Sequence, residues 1–329
     1  DMRATAKTPT IRQLTYLVAV ADEQHFGHAA DKVHVTQPTL SAQFANLEEK
    51  LGVTLVERRR TGAVLTPVGR QIADRARRLL RDVEDMVELA EASSRRLTGT
   101  IRFGAPSTLG PYLLHHIVPA LHAEYPDLKL YVREAMPNRL QEELSNGNLD
   151  LVITPLPVRR DGLQVELLFR EPLLLATSRD HHLARKNAIE RHDLKGETVL
   201  ALEPGYHLYE QVRGICDEFG ATLLRDYEGT SLDTLRQMVG MGQGVAFLPA
   251  LYVRSEIGNR GEVAIVPLQT RKLTRDIAIA WRASSVHSAE FLEIATLFRT
   301  IARQVRTTHE GGQVAVGDAR GAGVAEQTK

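Results

Sequence analysis

The chain has 329 residues, enough for two or three domains with real cores, and its 43% apolar and 25% charged content is that of a globular protein. Its 41 basic residues balance 41 acidic ones, which excludes a generally basic nucleic-acid binder, so any DNA-binding region must be basic locally. A single cysteine, Cys216, excludes a disulfide within the chain and a cysteine-rich metal site. No apolar run reaches the ~18 residues of a membrane span, and DMRATAKTPT lacks the apolar core of a secretory signal, so a cytoplasmic protein with no membrane partner is expected. Asp1 ahead of Met2 reads as a cloning remnant.

Residues 1–9 are polar and are expected to be disordered. Thr10 to Gln24 is predicted as a helix capped by Thr10, with Leu14, Leu17, Val18 and Ala21 on its apolar face. Phe26 to Gly52, FGHAADKVHVTQPTLSAQFANLEEKLG, is predicted as a helix, a tight turn and a second helix. Ala29, Ala30 and Val33 let the first of these lie close to a neighbour. Thr36 is placed to cap the second and Pro38 falls in its first turn. Leu40, Phe44, Leu47 and Leu51 form its apolar stripe. Gln37, Thr39, Ser41, Gln43 and Asn46 cover the other side with short polar groups, a surface able to enter a major groove and read base edges. An ordinary helical hairpin with a solvated polar face would show the same pattern.

Leu55-Val56 and Val64-Leu65 are short β-like runs around Arg58, Arg59, Arg60, Thr61 and Gly62, the pattern of a two-stranded wing. Arginines there can neutralise phosphates while the helix supplies sequence information, although a charge run is also compatible with a plain surface turn. Thr66 is predicted to cap a long helix starting Pro67-Val68-Gly69. Ile72, Ala76, Leu79, Val83, Met86 and Ala90 make a heptad seam with charged outer positions such as Arg75, Arg78 and Arg81. Packing at home is one explanation of the seam; dimerisation is the other, and it would present two reading helices to a palindromic site.

From Thr100 on, strand and helix signals alternate. Strands are predicted at TIRFGAP, Leu128–Glu134, Leu149–Pro155, Val165–Phe169, Leu173–Thr177, Val199–Leu202, Val245–Pro249, Ala264–Leu268 and Asp276–Trp281. Helices are predicted at Tyr112–Tyr125, Arg139–Asn146, Leu208–Phe219, Ser231–Met241 and Ser288–Arg306. The alternation points to an α/β region with a mostly parallel sheet. Residues 307–329 are Gly-, Ala- and Gln-rich and are expected to be disordered.

No convergent catalytic set, Walker A loop, nucleophile elbow or H-E-x-x-H run is present, so no enzyme and no cofactor is predicted. His115-His116 and His181-His182 are adjacent pairs whose rings are not expected to point at one metal. Cys216 reads as a buried structural cysteine. A binding site is better supported, since ligands of open α/β sheets sit beyond the carboxyl ends of strands. The loops in that position carry Ser107, Thr108 and Leu109, then Thr154-Pro155, then Glu203 to His207, then Gly229 to Ser231. Ser107 and Thr108 precede a helix start and can meet an anion, or can simply cap that helix.

The segments FGHAADKVHVTQPTLSAQFANLEEKLGVTLVER, LTPVG, STLGPYLLHHIVPALH, SNGNLDLVI and TSLDTLRQMVGMGQGVAFLPAL together resemble the LysR-type transcriptional regulators, and most the peroxide-sensing OxyR subgroup. The resemblance runs from Thr10 to Arg306. It implies an N-terminal all-α winged helix-turn-helix over 10–66, a dimerising linker helix over 67–98 and an α/β effector domain over 99–306. That domain should have two α/β lobes resembling periplasmic binding proteins: lobe I about 99–170 and 276–306, lobe II about 171–275, with crossovers around Val165–Glu171 and Gln269–Asp276. The implied function is sequence-specific regulation of transcription, controlled by a small effector between the lobes. The implied partners are double-stranded promoter DNA, further copies in a homodimer or homotetramer, and RNA polymerase if the protein activates. Thr36, Gln37, Pro38, Thr39, Ser41, Gln43, Arg58, Arg59 and Arg60 are the expected DNA contacts. Ser107, Thr108, Leu109, Pro155, Tyr206, His207 and Thr230 are the expected effector contacts.

The chain departs from the subgroup where its chemistry lies. The subgroup's peroxide-reactive cysteine falls on His207 and its partner on Cys216. Thr108 matches a threonine of the peroxide pocket, while a second threonine falls on Pro137. A histidine forms neither a sulfenic acid nor a disulfide, so a link to oxidative stress must run by another route. A solute-binding protein with no direct DNA role is the alternative built on the same lobes.

Overall fold

The computed structural model describes residues 8–59, 62–91, 97–225, 229, 231–257, 261–266, 268 and 273–310, with the side chains of 58, 59, 85, 88–91 and 305–310 outside that description. Arg60, Thr61 and Thr230 and the two predicted disordered ends, apart from 8–9 and 307–310, therefore lie outside the described residues.

Three helices open the chain: α1 (Ile11–Glu23), α2 (Phe26–Lys32) and α3 (Gln37–Leu51). Thr10 and Gln13 form a reciprocal capping box at α1. His25 caps α2 through its ring Nδ1, which accepts from the Gly27 and His28 amides. Thr36 caps α3 by accepting from the Thr39 N–H, Pro38 sits in the first turn, and left-handed Gly52 closes the helix. Leu40, Phe44 and Leu47 are fully buried against Leu17, Ala29 and Ala30, and Phe44 meets Phe26 edge-on at 5.3 Å. Each of the three contributes about 1.5–3 kcal/mol by leaving water. The close approach of α2 depends on its two alanines, as their spacing predicts.

Strands β1 (Val56–Arg59) and β2 (Gly62–Leu65) form the predicted wing, paired antiparallel from Val56↔Leu65 to Arg59↔Gly62. The wing is pinned to the end of α1 by the bond from Ala63 N–H to the Gln24 carbonyl at 2.7 Å. The long helix α4 (Pro67–Glu91) follows, its first turn capped by the Thr66 hydroxyl, which accepts from Gly69 N–H at 2.9 Å. Ala73 and Ala76 pack against the three-helix core, and Arg77 ties α4 to Asp22 at 2.6 Å. Leu79, Met86 and Val87 stay exposed. The start of the seam therefore packs at home, and its later positions are open, as a dimerising helix would need.

The remainder forms one nine-stranded sheet, built from β3 (Gly99–Ala105), β4 (Leu128–Glu134), β5 (Leu151–Pro155), β6 (Leu163–Ser178), β7 (Thr198–Leu200), β8 (Thr222–Leu223), β9 (Val245–Pro249), β10 (Val263–Val266) and β11 (Thr274–Arg282). The order is β4-β3-β5-β11-β6-β9-β7-β8, with β10 on β6. The expected mostly parallel sheet is corrected to a mixed one. β3, β4 and β5 are parallel, as are β7, β8 and β9, but β6 and β11 run antiparallel to their neighbours and to each other. These two strands carry the chain across and back between two α/β lobes. Helices α5 (Gly110–Glu124), α6 (Pro137–Ser145) and α10 (Ser288–Glu310) accompany the first lobe, and α7 (His207–Phe219), α8 (Leu232–Gly240) and α9 (Ala250–Glu256) the second. Two predicted strands, Val165–Phe169 and Leu173–Thr177, are one strand of 16 residues, β6. The polar Arg170-Glu171 break between them marks a buried charge, not a turn. One hydrophobic cluster runs unbroken from Phe103 and Ile117 through Phe169 and Ile277 to Phe247 and Val212.

Candidate functional site

The first candidate surface is the outer side of α3. Thr36, Gln37, Pro38, Thr39 and Gln43 are exposed and Ser41 is half-buried, so the apolar stripe leaves these groups toward solvent. The Thr36 and Thr39 hydroxyls lie 2.8 Å apart and hold each other at the start of the helix. Asn46, grouped with the reading face by its polarity, is taken up structurally: its amide oxygen accepts from Gln13 Nε2 at 2.8 Å. The turn before α3 is tight, with His34 left-handed (φ 55°) and Val35 N–H bonded to the Ala30 carbonyl. The backbones of Arg58 and Arg59 lie in β1 at the wing.

The second candidate surface lies where the lobes meet. Ser107 Oγ and Tyr206 Oη are 3.2 Å apart, so the loop after β3 touches the loop before α7. Gly205 (φ 108°) lies under Met136: a Cβ there would sit 2.6 Å from Met136 Cε. Pro155 is buried at the end of β5, and Leu109 is buried behind the loop. Thr108 is buried and already engaged. Arg275 donates to its hydroxyl at 3.2 Å and to its carbonyl at 2.8 Å. The same guanidinium donates to Glu171 Oε2 at 2.7 Å, and Glu171 Oε1 accepts the Leu251 N–H at 2.9 Å. Thr108 thus fastens the first lobe's loop to the crossover strands β6 and β11.

His207 is the first residue of α7 and is half-buried. Burial first, then repulsion from Arg159, pushes its imidazole below the usual histidine range, and Glu210 partly offsets this. Its buried Nδ1 has no hydrogen-bond partner, and neither has the buried Oε1 of Gln211 one turn along the same face. Gln211 anchors itself by donating to the Thr274 carbonyl at the start of β11, at 3.2 Å. Gln211 was missed in the sequence because a glutamine on a helix face carries no signal alone. Cys216 is nine residues after His207 on α7, about 13 Å along the axis and on the opposite side. It is buried, and burial raises its thiol to about 11, with Asp217 adding to the effect.

A third contact joins the two parts of the chain. Arg81 of α4 pairs with Asp150, whose other oxygen accepts the Arg102 N–H at 2.8 Å, and its stem packs on left-handed Gly147. Nothing in the heptad pattern marks Arg81 out from the other outer charges. One expectation about the histidines is corrected: His181 and His182 do converge, both on Glu197, because the chain turns between them.

Residues 11–70 match the profile described as bacterial regulatory helix-turn-helix protein, lysR family, and residues 94–303 that of the LysR substrate binding domain. The chain is 40% identical over 289 residues to the DNA-binding transcriptional dual regulator OxyR of Escherichia coli K12, covering 88% of this chain and 94% of that one. The chain belongs to the LysR family. It is a DNA-binding transcriptional regulator of that family, with the N-terminal helix-turn-helix and two-lobed α/β effector domain its sequence predicts. Full-length OxyR of Pseudomonas aeruginosa, in a form with aspartate in place of a cysteine, superposes on this LysR-family chain with a TM-score of 0.76 at 36% identity, covering 88% of this chain and 94% of that one. An H2O2-bound cysteine-to-serine mutant of Corynebacterium glutamicum OxyR gives 0.62 at 28% identity, covering 93% and 98%. No helix among the described residues of this LysR-family regulator is long and apolar enough to cross a membrane.

Proposed function

We propose that this regulator binds promoter DNA as a homodimer or homotetramer and is switched by a small polar effector held between its lobes, not by a cysteine pair. The observation that carries this reading is the face of α7, where His207 Nδ1 and Gln211 Oε1 are buried side by side without partners, since buried polar groups are otherwise satisfied. A ligand that donates to these atoms, with Ser107 and Tyr206 at the mouth, would satisfy them. The lone thiol argues the same way, because a protonated, buried Cys216 is a poor nucleophile and has no second cysteine to pair with.

On this reading the divisions 10–66, 67–98 and 99–306 are DNA-binding unit, dimerising helix and effector domain, with lobe I about 99–170 and 276–306 and lobe II about 171–275. Gln37, Pro38, Thr39, Ser41 and Gln43 face bases, Thr36 sets the helix start, and Arg58, Arg59 and Arg60 neutralise phosphates. The protein is a cytoplasmic regulator and not an enzyme, and as an activator it would touch RNA polymerase. Peroxide itself is a second candidate effector, favoured by the H2O2-bound relative that carries a serine for a cysteine. In that case peroxide acts as a bound ligand and not as an oxidant.

Footprinting on the chain's own upstream DNA tests both parts. Gln37→Ala should relax base preference by about 1–3 kcal/mol at one position. Cys216→Ser should respond to peroxide and to a metabolite panel as wild type does. A peroxide response that disappears in Cys216→Ser overturns the effector reading, and a footprint unchanged in Gln37→Ala overturns the base contact.

A further inference from the structure

We propose that His181, His182 and Glu197 form a site for one divalent transition-metal ion of the zinc class. The site lies in the second lobe, and none of its residues belongs to the DNA surface or to the cleft.

The local chain explains why consecutive histidines can share a ligand. β6 ends at Ser178, and His181 N–H bonds back to the Ser178 carbonyl at 3.2 Å. His181 is extended (φ −64°, ψ 140°), and a short 3-10 turn, His182–Arg185, begins at the next residue. On a strand the two side chains would point to opposite faces. This change of backbone instead lays the rings side by side, with centroids 4.5 Å apart and planes 31° apart. Glu197 comes from the other side, just before β7. Its backbone is fixed at both ends, by N–H to the Leu194 carbonyl at 3.1 Å and by the Thr222 N–H to its own carbonyl at 2.7 Å. The carboxylate therefore arrives at a set place, mostly shielded from solvent.

The spacing suits a metal. His181 Nε2 is 3.4 Å from Glu197 Oε2, and His182 Nε2 is 3.1 Å from Glu197 Oε1. All three ligand atoms lie within 4.8 Å of one another. Zinc at about 2.0–2.1 Å from tetrahedral ligands holds those ligands roughly 3.3 Å apart. Two imidazoles and one carboxylate leave a fourth position for water, and nitrogen-rich sets of this kind take zinc, nickel or copper rather than calcium or magnesium.

Loading the ion has a definite proton balance. His181 Nδ1 accepts the Leu183 N–H at 3.3 Å, so the free ring carries its proton on Nε2. The ion takes the Nε2 lone pair, that proton leaves to solvent, and Nδ1 gains one. The ring gives up one long hydrogen bond. Binding should therefore be weaker than at a closed four-ligand site, and it should tie the turn after β6 to β7.

The test uses tag-free, full-length protein stripped with a chelator, titrated with ZnCl2 by calorimetry and with CoCl2 by visible absorption. One ion per chain is expected, with a rise in melting temperature on zinc addition. His182→Ala is the clean variant, because that side chain is 65% exposed and caps nothing. It should weaken binding by about tenfold or more, as outer and inner ligand losses do, and Glu197→Gln should do the same. Absence of saturable binding overturns the proposal and leaves a plain imidazole–carboxylate pair. So does zinc binding that is unchanged in His182→Ala and Glu197→Gln, which would place the ion on others of the 12 histidines.

Discussion

Arg275 carries its charge into the middle of the effector domain, where 2% of its surface meets solvent. Glu171 neutralises it from the neighbouring crossover strand, Thr108 accepts from the other two guanidinium nitrogens, and the Leu251 N–H donates to Glu171. A buried charge left alone is costly, so Arg275→Ala should destabilise the protein by about 3–5 kcal/mol in urea unfolding. The double change Arg275→Met with Glu171→Leu should recover most of that loss, because it removes the stranded charge as well as the pair. His207 makes a prediction with a direction in pH. Its folded value lies below its unfolded one, so the unfolded chain binds the extra proton first. Its contribution to stability is present above the unfolded value, near 6.5, and is lost as pH falls below it. His207→Asn should therefore lose less stability than wild type between about pH 7 and pH 5 in paired urea titrations. At this scale the sequence was only partly legible. Tyr206 and His207 stand where the loop after a strand enters α7, a position that marks them as candidates. The Arg275–Glu171 pair spans 104 residues of chain and leaves no local trace, so the sequence offered Thr108 as an anion contact or a helix cap and not as an arginine's partner.

Among the elements, α3 was the most legible, because a buried helix face repeats every three or four residues and Leu40, Phe44 and Leu47 obey that period to full burial. β6 was legible only in pieces. A strand that crosses between lobes changes neighbours along its length, and Glu171 in its middle is a charge at a core position, which defeats any reading by alternation. The start of α4 shows a constraint of a third kind. A Cβ on Gly69 would lie 2.0 Å from the Leu55 carbonyl oxygen, so the helix touches, backbone to backbone, the residue that leads into wing strand β1. Gly69→Ala should force them apart at a cost of about 1–3 kcal/mol or more. The expected outcome is a lower unfolding midpoint together with weakened DNA binding, while the far-UV helix signal is retained. Unchanged DNA affinity would mean that the wing's position does not matter for binding.

For the whole molecule, the open part of the α4 seam is the surface we propose for dimerisation. Leu79 and Met86 are 52% and 62% exposed, one heptad apart, on a helix whose earlier turns are already packed. Leu79→Lys with Met86→Glu should give a monomer in sedimentation velocity and abolish binding to a two-half-site promoter, while a single half-site still binds weakly. A dimer that survives both changes would place the interface elsewhere. Arg81 is on the same helix and grips Asp150 of the first lobe, so α4 is tied directly to the effector domain. The order of parts along the chain was legible from the sequence; this joint between them was not, since one arginine among many outer charges carries no mark.

The 16-residue strand β6 has a consequence for how this protein can be divided. Its first part pairs with β11, and its last part with β9 and β10. Cutting the gene between the lobes would leave either half with a strand whose partners are gone, and an unpaired apolar edge invites aggregation. Either lobe expressed alone is therefore expected to aggregate where the whole effector domain does not.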